Sequence, residues 1–253
     1  MESLVHSKEK LYFGMSIVFS LLVYVLLIVS MVGILYIYIV LGMLMGLVFH
    51  GLFIGSLKGN GILVSERQFP EVHRIASQLA IDLELQELPP IYILQAGGML
   101  NAFATKFLGR SFVVIYSDVL ELAYEKGEQE LAFVVCHELA HIKRKHLTWR
   151  LFLYPAMLVP FLGSAYSRAC EYTCDRFGAH FVPNGAERGL LVLAAGKQLY
   201  RTVNVQEFVQ QVDGERGFWV WFSEVLSTHP NLTKRVVAIG QKTAAGSYDN
   251  PMV

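Results

Sequence analysis

Residues 11–57 contain no lysine, arginine, aspartate or glutamate. One membrane crossing takes about 20 apolar residues, so this uncharged run is long enough for two. It is too long for the apolar core of a cleaved leader, which is about 7–15 residues. The chain also lacks net charge, with 21 basic and 21 acidic residues. That balance argues against nucleic acid as a partner. Cysteine is scarce: Cys136, Cys170 and Cys174 form no C-x-x-C pair, which argues against a disulfide framework and fits buried thiols. Internal repeats and low-complexity segments are missing too. What remains is 253 residues, 54% hydrophobic with a mean hydropathy of +0.43. That suits one catalytic domain and a membrane segment.

The uncharged run reads as a hairpin of two transmembrane helices, about 11–30 and 34–57, turning near Gly33. Lys8 and Lys10 precede it, and Lys58, Arg67 and Arg74 follow. With basic residues at both outer ends, the positive-inside tendency puts both ends in the cytoplasm. The expectation is a multi-pass protein of a cell inner membrane, with residues 1–60 in the bilayer and 61–253 facing the cytoplasm. His50, near the end of the second span, reads as a packing or capping residue.

The most informative stretch is 128–146, EQELAFVVCHELAHIKRKH. It has no proline or glycine, starts acidic and ends basic, and so reads as one helix. His137 and His141 are four apart and share a face. Two neutral imidazoles so placed can take two corners of a tetrahedral zinc site. Glu138 projects beside them, where a carboxylate can draw a proton from a water nucleophile. H-E-x-x-H supplies no third protein ligand. Residues 167–180, SRACEYTCDRFGAH, bring Glu171 and Asp175 onto one helical face. One of these carboxylates can complete the metal site, and the other can accept the free ring N–H of a ligand histidine.

Around these motifs the chain reads as mixed α and β. Residues 65–85 have an amphipathic helical period, with Pro70 in the first turn. Short strands are expected at 91–95, 101–106 and 111–116, with turns at Gly97-Gly98 and Gly109-Arg110. The small residues of 101–106 suit a sheet edge, where an extended peptide can add as a further strand. Residues 151–166 are apolar but broken by Pro155 and Pro160, which favours packing against the hairpin or lying at the interface over a third crossing or an internal core segment. Helices are expected over 184–200, capped by Asn184 or Gly185, and over 231–241. The aromatic run 218–226 reads as core in preference to a substrate or membrane contact. His229 and Arg235 read either as a cap and a surface charge or as a polar pair facing the metal cleft. Residues 243–253 look loose.

NAFA, HELAH, SRACEYTCDRFGA and STHPNLTKR occur in this order, and together they resemble the M48 peptidases. These membrane-associated zinc metalloproteases include the HtpX-type heat-shock proteases and the CAAX prenyl endopeptidases. The resemblance covers residues 65–241. It implies an α+β, mainly helical zincin-type domain with a small sheet, after an N-terminal transmembrane hairpin. It implies a gluzincin centre in which His137, His141 and Glu171 hold one Zn2+ and Glu138 is the general base. Asp175 would steady a ligand histidine, and His229 and Arg235 would serve the cleft, His229 at the developing oxyanion. Asn101, Ala102, Phe103 and Ala104 would line the substrate. The expected activity is hydrolysis of peptide bonds in misfolded or membrane proteins. The alternative is a catalytically silent zinc-binding membrane scaffold, for which Glu138 would have no use.

Overall fold

The computed structural model describes residues 4–30, 34–97, 101–124, 127–214 and 217–245. The expected turn at Gly33 and the tail beyond residue 245 lie outside these. Helices α1 (Ser7–Ser30) and α2 (Ile34–Asn60) come from the uncharged run, and both are long and apolar enough to cross a membrane. Their faces are largely exposed, as apolar side chains would be toward lipid rather than in a soluble core. Each docks separately on the rest of the chain. Tyr12, Phe13 and Ile17 of α1 pack with Leu153, Tyr166 and Cys170, while Ile54 and Leu57 of α2 cover one face of the sheet.

The sheet comprises β1 (Ile62–Leu63), β2 (Ile91–Leu94), β3 (Ala102–Phe107) and β4 (Arg110–Tyr116), in the order β1-β2-β4-β3. β2 and β4 are parallel, the other pairings antiparallel. Between β1 and β2 runs α3 (Pro70–Asp82), which buries Val72, Ile75, Ala76 and Leu79 at the expected spacing, with proline in its first turn. Its start is later than expected because Phe69 is left-handed. The strands alternate as a two-sided sheet must. Val113 and Ile115 join the main core, while Phe112 and Val114 meet α2. β3 forms the sheet edge, one residue later than expected, with Asn101 exposed just ahead of it. The two-residue β1 was not foreseen, being too short to show a period.

After β4 come α4 (Ser117–Tyr124) and α5 (Glu128–Lys143). The helix expected through His146 stops at Lys143. Lys145 adopts φ 56°, and α6 (His146–Phe152) restarts the chain in a new direction, burying His146. α7 (Tyr154–Met157) follows, then α8 (Leu162–Phe181). The proline-broken stretch thus packs on α1. The Phe13 and Trp149 rings meet edge-on at 4.8 Å, and the Tyr24 hydroxyl donates to the Phe152 carbonyl at 2.6 Å. That bond satisfies a carbonyl at the end of α6, which matters if α1 lies in lipid.

α9 (Pro183–Leu199) starts with proline at its first position, so Asn184 and Gly185 lie inside the helix and neither is its cap. It lies against α5 with little space between. A Cβ on Gly185 would collide with the Gln129 carbonyl, and one on Gly178 or Gly189 would come within 2.5 Å of the Phe133 ring. Glycines on α8 and α9 therefore let both helices close on the helix that carries the histidines. α10 (Val205–Gly214) was not anticipated. α11 (Phe218–Leu226) overturns the expectation of core: Trp219 is 76% exposed and Trp221 55%. Its nine residues are held at the C-terminal end instead, where Arg168 donates to the carbonyls of Glu224, Val225 and Ser227. α12 (Leu232–Ala245) closes the described chain.

Candidate metal centre

α5 is buried almost throughout, so the centre of its H-E-x-x-H lies inside the protein. The 3.6-residue period brings the His137 and His141 Nε2 atoms to 3.3 Å from each other. α8 crosses this face and lays the Glu171 carboxylate over both rings. One oxygen is 3.3 Å from His137 Nε2 and the other 3.4 Å from His141 Nε2. A tetrahedral ion with bonds of about 2.0–2.1 Å has ligand–ligand edges of about 3.3–3.4 Å, so these spacings fit one.

The donor set supports the same conclusion. His137 Nδ1 lies 3.0 Å from Asp175 Oδ1, and a carboxylate accepts, so the ring proton is on Nδ1 and Nε2 is a bare lone pair. His141 turns its Nδ1 toward His146 and its Nε2 toward the cluster. The atoms that converge are therefore all acceptors, and a cation satisfies all of them together. Electrostatics agree. Burial opposes a charged His137, yet the Asp175 and Glu171 carboxylates, accepting at its two nitrogens, lift it to about 10, so in the absence of a cation a second proton takes the Nε2 lone pair. Burial likewise works to raise Glu171, and the two imidazoles outweigh it and hold the carboxyl well below its usual range. The pocket is built for positive charge.

His137, His141 and Cys174 also bring one donor atom each within 4.8 Å of one another. Cys174 is the weaker third ligand. Its sulfur is 3.7 Å from His146 Nδ1, whereas Glu171 brings an oxygen to within 3.4 Å of each Nε2. Burial pushes its thiol far above the ordinary value, which disfavours a thiolate.

Asp175 is itself held. Arg235 donates from Nε and from a terminal nitrogen to its two oxygens, each at 2.7 Å. Burial would raise Asp175, but Arg235 more than offsets it and keeps the carboxyl ionised. Arg235 is thus a buried partner of Asp175 and not a surface charge, although it also reaches within 3.6 Å of Glu171. His229 is 62% exposed at its side chain, with Nε2 3.6 Å from Glu171 Oε1. The partly covered position of the ring lowers its pKa below the ordinary histidine value.

Glu138 points to the other side of the rings, toward β3. Its Oε2 accepts the Ala104 backbone N–H at 2.7 Å. In β3 the residues bonded to β4 alternate with outward ones, and Ala104 is among the outward ones. Burial raises the Glu138 carboxyl above the usual carboxylate value. The structure therefore assembles His137, His141, Glu171, Glu138, Asp175, Arg235 and Ala104, with His229 at the rim. Asn101 and Phe103 do not touch the cluster; Phe103 packs edge-on with Tyr116. Sequence reasoning missed His146 and Glu9, which lie behind His141. A carboxylate two residues ahead of a long uncharged run was the available signal for Glu9.

Convergent acceptors, a neighbouring carboxylate and an open strand edge make this a candidate metal centre with room beside it for an extended chain. Comparison with known proteins narrows it: residues 66–160 and 148–243 match Peptidase family M48. The chain belongs to peptidase family M48. It is similar to the plastoglobule-localized metallopeptidase 48, chloroplastic, of Arabidopsis thaliana, with 28% identity over 172 residues. The match takes in 60% of this chain and 48% of that protein, so this chain spans about half the length of its curated relative.

Proposed function

We propose that this protein is a membrane-anchored zinc metalloendopeptidase. Residues 1–60 form its transmembrane hairpin and 61–253 its catalytic domain, which faces the cytoplasm from a cell inner membrane. His137, His141 and Glu171 would hold the zinc. The choice of zinc over other divalent ions rests on two imidazoles plus one carboxylate at tetrahedral spacing. Bound there, zinc would polarise the scissile carbonyl and lower the pKa of water toward about 7. Glu138 takes the proton of the attacking water and passes it to the leaving amine. Its burial favours this work, since a base acts best with a pKa near the operating pH. Asp175, gripped by Arg235, fixes the His137 tautomer. His229, exposed at the rim, can donate to the developing oxyanion.

The observation that carries this reading is the hydrogen bond from Ala104 to Glu138. It ties the base to the outer edge of β3, so a peptide extended along Asn101, Ala102, Phe103 and Ala104 would meet the base and the metal ligands together. Protein segments that are unfolded or newly released from the bilayer fit such an edge, because they can still become a strand.

The test is casein hydrolysis by the full chain in detergent, with and without 1,10-phenanthroline. Chelation and Glu138→Gln should each abolish cleavage. Normal proteolysis by Glu138→Gln would show that another group is the base.

A further inference from the structure

The two histidines of the cluster are oriented differently. His137 meets a carboxylate directly at Nδ1. His141 meets another imidazole: its Nδ1 is 3.1 Å from His146 Nδ1. Behind His146 lies a carboxylate that the chemistry has so far not used. Glu9 belongs to α1, its Oε1 is 3.4 Å from His146 Nε2, and its side chain is buried.

The direction of this chain follows from which atoms can donate. A carboxylate only accepts, so His146 Nε2 must carry the proton. In neutral His146, Nδ1 is then a bare acceptor. Two Nδ1 atoms at 3.1 Å share one proton, so His141 must supply it. His141 is left with its lone pair on Nε2, the atom that faces His137 and Glu171. The Cys174 sulfur also approaches His146 Nδ1, at 3.7 Å, but His141 is the nearer partner.

Glu9 does not arrive there by chance of packing. Thr173 Oγ1 bonds its second oxygen, and Arg144 reaches Oε1 at 3.1 Å. Thr173 lies on α8, two residues after Glu171, so the helix that carries one proposed ligand also fixes the carboxylate behind another. The segment ahead of α1 is fastened to the same helix. His6 donates its backbone N–H to Thr173 Oγ1, its ring stacks on Tyr172, and Arg176 donates to the Val5 carbonyl. A carboxylate at the head of an apolar helix is costly to bury and needs a partner set of this kind.

We propose that Glu9 is a positioning residue of the metal centre: through His146 it locks the tautomer and ring angle of His141, so the first apolar helix is a structural part of the active site and not only a tether. The proposal rests on the reading of His141 as a metal ligand. It also makes the seating of α1 on α8 a condition for a properly formed site.

The experiment uses the full chain in lipid nanodiscs and compares wild type with Glu9→Ala, Glu9→Gln and His146→Phe. Zinc affinity is measured by chelator competition, the cobalt-substituted site by its visible absorption, and kcat and KM with a peptide substrate. Loss of such an orienting partner typically weakens metal binding about 10–100-fold. Glu9→Ala and His146→Phe should fall in that range, with altered cobalt bands and a lower kcat at little-changed KM. Glu9→Gln, whose amide oxygen still accepts from His146, should recover most of the affinity. If Glu9→Ala unfolds, His146→Phe decides, since it breaks the relay and leaves Glu9 with Arg144 and Thr173. Wild-type affinity and cobalt spectrum in a folded Glu9→Ala or His146→Phe protein overturn the relay while leaving the site intact. Wild-type protein that binds no zinc overturns the reading of the site itself.

Discussion

Arg235 holds both oxygens of Asp175 at 2.7 Å, and Asp175 in turn holds His137. Sixty residues of chain separate the first two, yet the pair is among the most deeply buried charges described. Removing one partner of such a pair leaves an uncompensated charge in the interior. Arg235→Met should therefore cost about 3–5 kcal/mol of stability. Chemical denaturation in detergent would measure it. Arg235→Lys should recover only part of the loss, because an ammonium cannot reproduce the two-pronged grip.

The same pair predicts a pH dependence. Asp175 has a folded pKa below its ordinary value of 3.8. A depressed carboxyl contributes stability above its unfolded pKa, and that contribution fades as pH falls through the folded value. Between pH 7 and about 5 the wild-type advantage over Asp175→Asn should be constant. Below about pH 4 it should shrink. Parallel denaturation curves from pH 7 to 3 check this, and an advantage that grew toward low pH would reverse the assignment.

Ala104→Pro deletes the N–H that Glu138 accepts without touching a ladder bond to β4, and edge strands tolerate proline. A hydrogen bond to a charged group is worth about 1.5–3 kcal/mol. Activity should drop about 10- to 150-fold, and zinc content should stay at the wild-type level. Loss of both would point to damage of the sheet instead.

Metal removal should loosen the protein as well as silence it. Prolonged chelation leaves His137, His141 and Glu171 as converging acceptors with nothing between them. Free zinc at about a thousand times its Kd would add about 4 kcal/mol of stability, seen as a melting temperature that rises with zinc concentration. His141→Ala should abolish that rise. Glu138→Gln, which keeps the ligands, should retain it while losing turnover.

Gly185→Ala tests the packing that positions α5. The added methyl would meet the Gln129 backbone, which cannot swing aside as a flexible side chain would. Overpacking of this kind costs about 1–3 kcal/mol. Thermal unfolding should register it, with a parallel fall in zinc affinity as α9 is pushed off the helix that carries His137 and His141.

Much of this architecture is written in local pattern. The uncharged run, the period of α3 and the alternation of β4 each report one neighbouring surface, so the sequence carries them directly. His137, Glu138 and His141 belong to the same kind of signal, because helical spacing alone puts the two imidazoles on one face. Glu171 and Asp175 were legible as a pair, but their separate duties were implied only by the resemblance; the crossing of α8 over α5 sets Glu171 beside both Nε2 atoms and Asp175 beside His137 Nδ1. α11 shows the limit from the other side: an aromatic run states that apolar surface exists and says nothing of what will cover it.

The sequence by itself determined two apolar helices, a small sheet with an edge strand, and a helix bearing paired histidines. Only the tertiary structure decided that Arg235 turns inward, that Ala104 meets Glu138, and that Glu9 stands behind His141. Contacts of the first kind repeat every two or four residues. Those of the second join groups 34 to 137 residues apart and exist only once separate helices and strands have closed on one another.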